Sequence, residues 1–260
     1  MLNIAIQAAR AAADIILQTN RDITVETKQR SDYVTNVDRL SEAAIIDVVR
    51  SNYPDHKILA EESSRDDTTV GYRWIIDPID GTTNFIHGLP VFSISIAVEK
   101  DGEIIIGVIY DMTRDEMFYA EHGKGAFLNG KPIQVTSLQK PEFALLATGF
   151  PFKQKHFIEL YLKSFALLFQ KVSAIRRLGS AAIDMAYLAC GRVDGFWEIG
   201  LSPWDIAAGS LIIREAGGII SDFSGDDNYL KTGNVIASNT LLHPVLFETI
   251  RNVFKGTIDK

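Results

Sequence analysis

Between Tyr72 and Glu121 the chain carries four apolar, β-rich runs, YRWIID, FSISIAVEK, EIIIGVIYD and EMFYAE, separated by turn-rich segments. That rhythm predicts an antiparallel meander in which helices are sparse. A strand around KILAEE precedes it, and two helices are expected to open the chain, over residues 2–19 and 37–52, where VDRLSEAAIIDVVR keeps its apolar positions on one face. After about residue 140 the rhythm changes. Helical patterns at HFIELYLKSFALLFQK, SAAIDMAYLA, PWDIAAGSLIIREA and HPVLFETIRNVF alternate with short apolar runs such as GGIIS and NVIAS. The expected organisation is an N-terminal α+β half, 1–140, holding the antiparallel sheet, and a smaller α/β half, 141–260. No internal repeat or low-complexity segment interrupts it, and SSRDDTTVG and DFSGDDNYLKTG read as loops.

A chain of 260 residues can bury a large core, as one domain or as two sharing an interface. Its 47% hydrophobic and 23% charged residues are the balance of a soluble globular protein, which leaves both an enzyme and a binding module open. With 26 basic and 33 acidic residues the net charge is -7, so the general basic footprint of a nucleic-acid binder is missing. Cys190 is the single cysteine, which excludes an intrachain disulfide and a cysteine-based metal cluster. Arg10 and Asp14 interrupt the apolar N-terminus at helical spacing, so it reads as an amphipathic helix and not a signal peptide. No window approaches a membrane span, and a cytoplasmic location is expected.

The segment WIIDPIDGTTNF, Trp74 to Phe85, admits two readings. One is a polar turn after a strand, since Asp, Pro and Gly are ordinary at chain reversals. The other is a metal site. Pro78 fixes its own φ and drives Asp77 toward an extended conformation, so Asp77 is expected at the end of a strand, with Asp80 facing the same side beyond a sharp turn. Gly81 permits a close backbone approach. The amides of Gly81, Thr82 and Thr83 would serve an anion if a short helix begins there. Two carboxylates about 4 Å apart repel by about 4 kcal/mol at an effective dielectric near 20, so such a pair takes up protons or binds cations. Hard oxygen donors without His or Cys favour Mg2+.

AEES at 60–63, DPIDGTTNF at 77–85 and PWDIAAG at 203–209, in that order, resemble the signatures of the inositol monophosphatase family of Mg2+-dependent, lithium-sensitive phosphatases. The resemblance runs over essentially the whole chain. TGFPFK, RRLGSAAIDMAYLACGRVDGFWEIGL and EAGGIISDFSG are similar in particular to the bacterial extragenic-suppressor branch, whose members hydrolyse inositol 1-phosphate and associate with the transcription machinery. The resemblance implies the layered αβαβα sandwich of the sugar-phosphatase superfamily, α+β in its first half and α/β in its second.

Carried over by position, the resemblance gives Glu61, Asp77 and the Ile79 carbonyl to a first Mg2+ and Asp77, Asp80 and Asp205 to a second. A third, weaker ion would lean on Glu61. The phosphate would rest on the metals, with Asp80, and on the amides near Gly81 and Thr82. The implied chemistry is direct attack by a metal-activated water, with no covalent phosphoenzyme. Asp38 would bond Thr82 so that together they orient the nucleophile, although TNVD at 35–38 also fits a helix capping box. Glu198 would accept hydrogen bonds from inositol hydroxyls, assisted by Asp205 and the backbone at Ala181. Asp205 also fits a helix cap. Of Arg176 and Arg177, one would meet the phosphate ester and the other subunit contacts, and Arg176 is taken for the substrate. A homodimer is implied, as are RNA polymerase or antitermination factors as partners.

Two alternatives stand beside an inositol-phosphate phosphatase. One is a broader sugar or nucleotide phosphatase, and the other an antitermination partner in which phosphatase activity is secondary. GAFLNGKP, residues 125–132, nearly spells a phosphate-binding loop, but Pro132 replaces the required Ser or Thr, and its Asn-Gly pair predicts a hairpin. His87 and His122 stand apart from other ligand types and read as surface or structural residues.

Overall fold

The computed structural model describes residues 1–18, 23–29, 32–65 and 69–257. Alanine decides how the chain begins. The helix Leu2–Gln18 buries Ala5, Ala8, Ala9, Ala12, Ala13 and Ile16, and these small side chains let it lie close against the helix Asn36–Asn52. A hairpin, Val25–Gln29 with Asp32–Thr35, leads into the second helix. The sequence carries no strand signal there, because these residues are largely polar and lack a clear alternation.

The two helices cover one face of a sheet that holds, among the described residues, eight strands. Glu116–Glu121, Glu103–Asp111, Ser93–Lys100 and Tyr72–Asp80 are antiparallel neighbours, as the meander requires. Lys57–Ala60 adds on parallel to Tyr72–Asp80. At the far edge Ala126–Leu128 pairs with Lys131–Ile133. Asn129 at φ 48° and Gly130 at φ 79° close that hairpin, the left-handed pair that a two-residue turn of this kind needs. GAFLNGKP is therefore a turn.

A second sheet of five strands runs in the order Ala174–Arg176, Leu145–Thr148, Gly195–Glu198, Val235–Ser238, Ile219–Ser221. Between the sheets lie the helices Ala181–Ala189 and Pro203–Glu215, which bury most of their side chains because both faces are covered. The helices Ile158–Phe169 and His243–Phe254 pack on the outer face of the second sheet around Trp197, Phe223 and Leu246. The layers are helix, sheet, helix, sheet, helix, which is the αβαβα sandwich expected. Of the expected elements, Thr19 and the loop residues 66–68 lie outside the described residues. No helix among the described residues is long and apolar enough to cross a membrane.

One contact sets the spacing of the central layer. Gly107, in the strand Glu103–Asp111, faces the backbone of the helix Pro203–Glu215, and a Cβ there would come within 2.5 Å of the Ala208 carbonyl oxygen. Backbone on both sides cannot yield as a side chain can. We expect Gly107→Ala to cost about 1–3 kcal/mol through overpacking, lowering the thermal midpoint by about 2–4 °C per kcal/mol in a chain of this size. A midpoint equal to that of the unsubstituted protein would contradict this close approach.

Candidate metal centre and active site

The spacing of DPID becomes intelligible in the register of the strand Tyr72–Asp80. Asp77 stands opposite Ser95 and Asp80 opposite Ser93, so three steps on one strand match two on its neighbour. In a regular strand, residues three apart point to opposite faces. The extra residue of this bulge brings both aspartates to one face. The strand thus runs through both acids, where the sequence suggested that it stopped at Asp77. Within the bulge Asp77 Oδ1 accepts a hydrogen bond from the Ile79 amide at 3.0 Å.

Gly81 follows in a left-handed conformation, φ 97°, and begins the short helix Thr82–Ile86. A Cβ at Gly81 would lie 3.0 Å from the Val91 carbonyl oxygen and 3.1 Å from that of Gly179, so both conformation and space call for glycine. The first amides of the helix have no intrahelical partner.

Asp205 arrives from the second half of the chain. It occupies the third position of the helix Pro203–Glu215, where its Oδ2 accepts from the Ser202 amide at 2.7 Å in a capping box. Ser95 Oγ donates to the Trp204 carbonyl at 3.0 Å and ties the start of that helix to the strand beside Asp77. Asp80 is tied to a third element. Its Oδ2 accepts from Ser180 Oγ at 2.5 Å and from the Ala182 amide at 2.7 Å, at the N-terminus of the helix Ala181–Ala189.

These constraints gather Asp77, Asp80 and Asp205 so that their ligand oxygens all lie within 4.8 Å of one another. Burial, followed by the charges of Glu61, Asp80 and Asp205, drives the Asp77 carboxyl well above the usual carboxylate range. Burial and then the Asp205 charge push Asp80 up to about 7. Three buried acids with no cation among the causes of these shifts form a donor set that fits a hard divalent cation such as Mg2+. Glu61 lies in the turn after Lys57–Ala60, outside that trio but close enough to be the leading charge acting on Asp77. The next residue is anchored, since the Glu62 amide donates to buried Glu42 at 2.8 Å.

Asp38 combines both of its readings. Its Oδ2 accepts from the amide of Thr35 at 2.8 Å and closes the capping box, while its Oδ1 accepts from Thr82 Oγ1 at 3.2 Å. The Ile79 carbonyl is a second acceptor for the same hydroxyl at 3.0 Å.

Next to the acids opens a cavity of about 150 Å³, lined by Asp80, Ala181, Glu198 and Asp205 among others. Burial pushes the Glu198 carboxyl up to about 8, against the opposing charge of Arg177. Arg176 and Arg177 differ in their relation to the cavity. Arg177 lines the cavity, with its guanidinium 4.8 Å from the Phe152 ring centre and 5.7 Å from that of Phe150. Both arginines are exposed, and Arg176 donates to the Ile175 carbonyl and is not among the lining residues. Consecutive residues at the end of a strand point opposite ways, and the sequence does not say which lies on the side of the cavity.

Asp184 and Lys153 also line the cavity and were not anticipated. Asp184 is buried, its Oδ1 lacks a hydrogen-bond partner, and its carboxyl is driven well up by burial and then by the charge of Glu198. The available signal was one acid inside the apolar run SAAIDMAYLA. His87 and His122 lie elsewhere, the first exposed and bonded to the Thr83 carbonyl, the second beside Glu103 at the surface.

The raised carboxyls have a consequence for stability without metal. In the unfolded chain an aspartate ionises near 3.8, whereas folded Asp80 does so at about 7. Between those values the folded protein holds more protons than the unfolded chain, so stability falls as pH rises through that window. We expect the metal-free thermal midpoint to be several °C lower at about pH 8 than at about pH 5, with Mg2+ restoring it mainly at the higher pH. Asp80→Asn should flatten this dependence and blunt the response to Mg2+. A metal-free midpoint that rises with pH across the window would contradict the assignment.

Comparison with known proteins bears on the same residues. Residues 1–255 match the sequence profile described as the Inositol monophosphatase family. The chain is 47% identical over 264 residues to the Nus factor SuhB of Escherichia coli strain K12, covering 100% of this chain and 99% of that one. Among solved structures it is similar to the extragenic suppressor protein suhB from Bartonella henselae, with a TM-score of 0.91, 39% identity and 98% of each chain covered. The inositol monophosphatase from Anabaena matches with a TM-score of 0.86 and 36% identity, over 96% of this chain and 95% of that one. A profile that spans the chain, relatives matched nearly end to end and an acidic trio built by the family's motifs agree on one assignment: this protein belongs to the inositol monophosphatase family of metal-dependent phosphatases.

Proposed function

We propose that this protein hydrolyses inositol 1-phosphate with Mg2+ held by Glu61, Asp77, the Ile79 carbonyl, Asp80 and Asp205. The observation that carries the reading is the shared cavity, in which Glu198 lines the same space as Asp80 and Asp205. A carboxylate suits the adjacent hydroxyls of a polyol, and the acidic trio suits the cations that accompany a phosphate.

When bound, Mg2+ neutralises charge on the phosphoryl group and lowers the pKa of water. The protein's own groups do the positioning. Thr82 donates its single hydroxyl proton to Asp38 or to the Ile79 carbonyl, which leaves its oxygen lone pairs to accept from an attacking water. The amides that open the helix Thr82–Ile86 receive phosphoryl oxygens. Glu198 and the backbone at Ala181 hold the leaving alcohol, and Arg177 closes the mouth of the cavity. Water attacks phosphorus directly, the ester P–O bond breaks, and the alcohol departs with a proton.

Two further parts of the proposal rest on other observations. Near-complete coverage of a relative named as a Nus factor supports association with the transcription machinery as a second role, and hence a cytoplasmic setting. A pull-down with unsubstituted protein and an Asp205→Asn variant tests whether such binding needs the metal site. Ile158, Leu162 and Phe169 form an exposed apolar stripe on the helix Ile158–Phe169, which supports a homodimer. Sedimentation of Leu162→Glu tests it.

A phosphate-release panel decides the central reading. Release from inositol 1-phosphate should require Mg2+, fall with millimolar-range Li+, and vanish in folded Asp80→Asn. Normal turnover by that variant would sink the metal assignment. Above about pH 8, where the Glu198 carboxyl is ionised, Glu198→Gln keeps the size but loses a charge-assisted bond worth about 1.5–3 kcal/mol. Preference for inositol 1-phosphate over glycerol 2-phosphate should therefore fall by about 10- to 100-fold. Equal losses on both esters would assign Glu198 to folding or to the chemical step.

A further inference from the structure

Glu198 ends the strand Gly195–Glu198, and its parallel neighbour Leu145–Thr148 pairs with it through Thr148 opposite Trp197. One residue further on, Gly149 leaves that neighbouring strand beside Glu198. Side chains at matched positions of parallel strands share a face, so Gly149 and Glu198 compete for one space. Glu198 fills it. A Cβ built on Gly149 would overlap the Cδ, Oε1 and Oε2 atoms of Glu198, the functional end of the side chain and not its stem.

The backbone of Gly149 does not ask for glycine, because its φ is not among the positive values found in the chain. Space alone does. The atoms in the way belong to the far end of a flexible side chain, in contrast to Gly107, where the obstacle is backbone. A methyl group at Gly149 is therefore accommodated by moving the carboxylate, with little cost to the fold.

We infer that Gly149 is a positioning residue: its missing side chain leaves the space in which the Glu198 carboxylate lies, and so sets the selectivity of the cavity for polyhydroxylated phosphate esters. The inference rests on the proposed role of Glu198. It makes the TGFPFK segment part of substrate selection, with Gly149 acting only through Glu198.

The test compares Gly149→Ala, Glu198→Gln and the double variant, reading kcat/KM for inositol 1-phosphate and for glycerol 2-phosphate together with the thermal midpoint. Measured above about pH 8, where Glu198 is ionised, Gly149→Ala should fold and should lower the preference for the inositol ester by about tenfold or more, the loss expected when one charge-assisted hydrogen bond is misplaced. In the double variant the two losses should not add, because the second substitution has no placed carboxylate left to disturb. A reduced preference in Glu198→Gln with full preference in Gly149→Ala would overturn this inference alone, and so would fully additive losses. An unchanged preference in Glu198→Gln would overturn the parent reading and this one with it. Should Gly149→Ala fail to fold, Glu198→Ala in the same chain vacates the contested space. Recovery of folding would then support the contact, and persistent failure would overturn it.

Discussion

The mutual repulsion of three buried carboxylates is the constraint to which the rest of the structure answers. Asp77, Asp80 and Asp205 sit with ligand oxygens within 4.8 Å of one another and nearly out of solvent. At that separation each ionised pair costs about 3–4 kcal/mol at an effective dielectric near 20. No packing advantage requires them there, so the surrounding structure holds them in place. The bulge at Ile79 turns two acids to one face, a capping box holds the third, and Ser180 and the Ala182 amide fix an oxygen of Asp80. The bulge imposes the gathering of negative charge, the hydrogen bonds to Asp80 and Asp205 lower its cost, and the remaining cost is what a divalent cation relieves.

Helix N-termini recur around this charge. Asp38 lies in the first turn of Asn36–Asn52, Asp205 in that of Pro203–Glu215, and Asp80 binds the first turn of Ala181–Ala189. The partial positive ends of these helices favour anions, both the acids in the metal-free state and a phosphate in the working one. The layered architecture makes this convergence possible. The central helices lie between two sheets, and small residues bring them close: Gly107 under Ala208, and Gly209 against Met185. A site assembled from both halves of the chain depends on such spacing, because Asp205 reaches Asp77 only if its helix lies close to the first sheet.

Much of this was legible in the sequence because periodicity and motif pointed the same way. The meander and the four long C-terminal helical patterns fall close to their expected bounds, since each carries enough apolar repeats to declare its period. The short strands Leu145–Thr148 and Gly195–Glu198 did not announce themselves, being four residues each and set by neighbours distant in sequence. The bulge was hidden for a related reason, since an extra residue shows only against its partner strand. The same limit explains the arginines: RR at a strand end names two cations, and only the tertiary structure shows that Arg177 lies over Phe150 and Phe152. Asp184 was overlooked as one polar residue in an apolar helix, which is where an acid most needs a reason.

The central claim is that these acids are spaced for cations and not for a structural turn. The most direct measurement is an anomalous difference map from crystals grown with Mn2+, which shares the oxygen preference of Mg2+ and scatters anomalously. We expect one peak enclosed by Asp77, Asp80 and Asp205 and a second on the other side of Asp77, toward Glu61 and the Ile79 carbonyl. A map with no peak among these residues, at Mn2+ concentrations that support phosphate release, would contradict it.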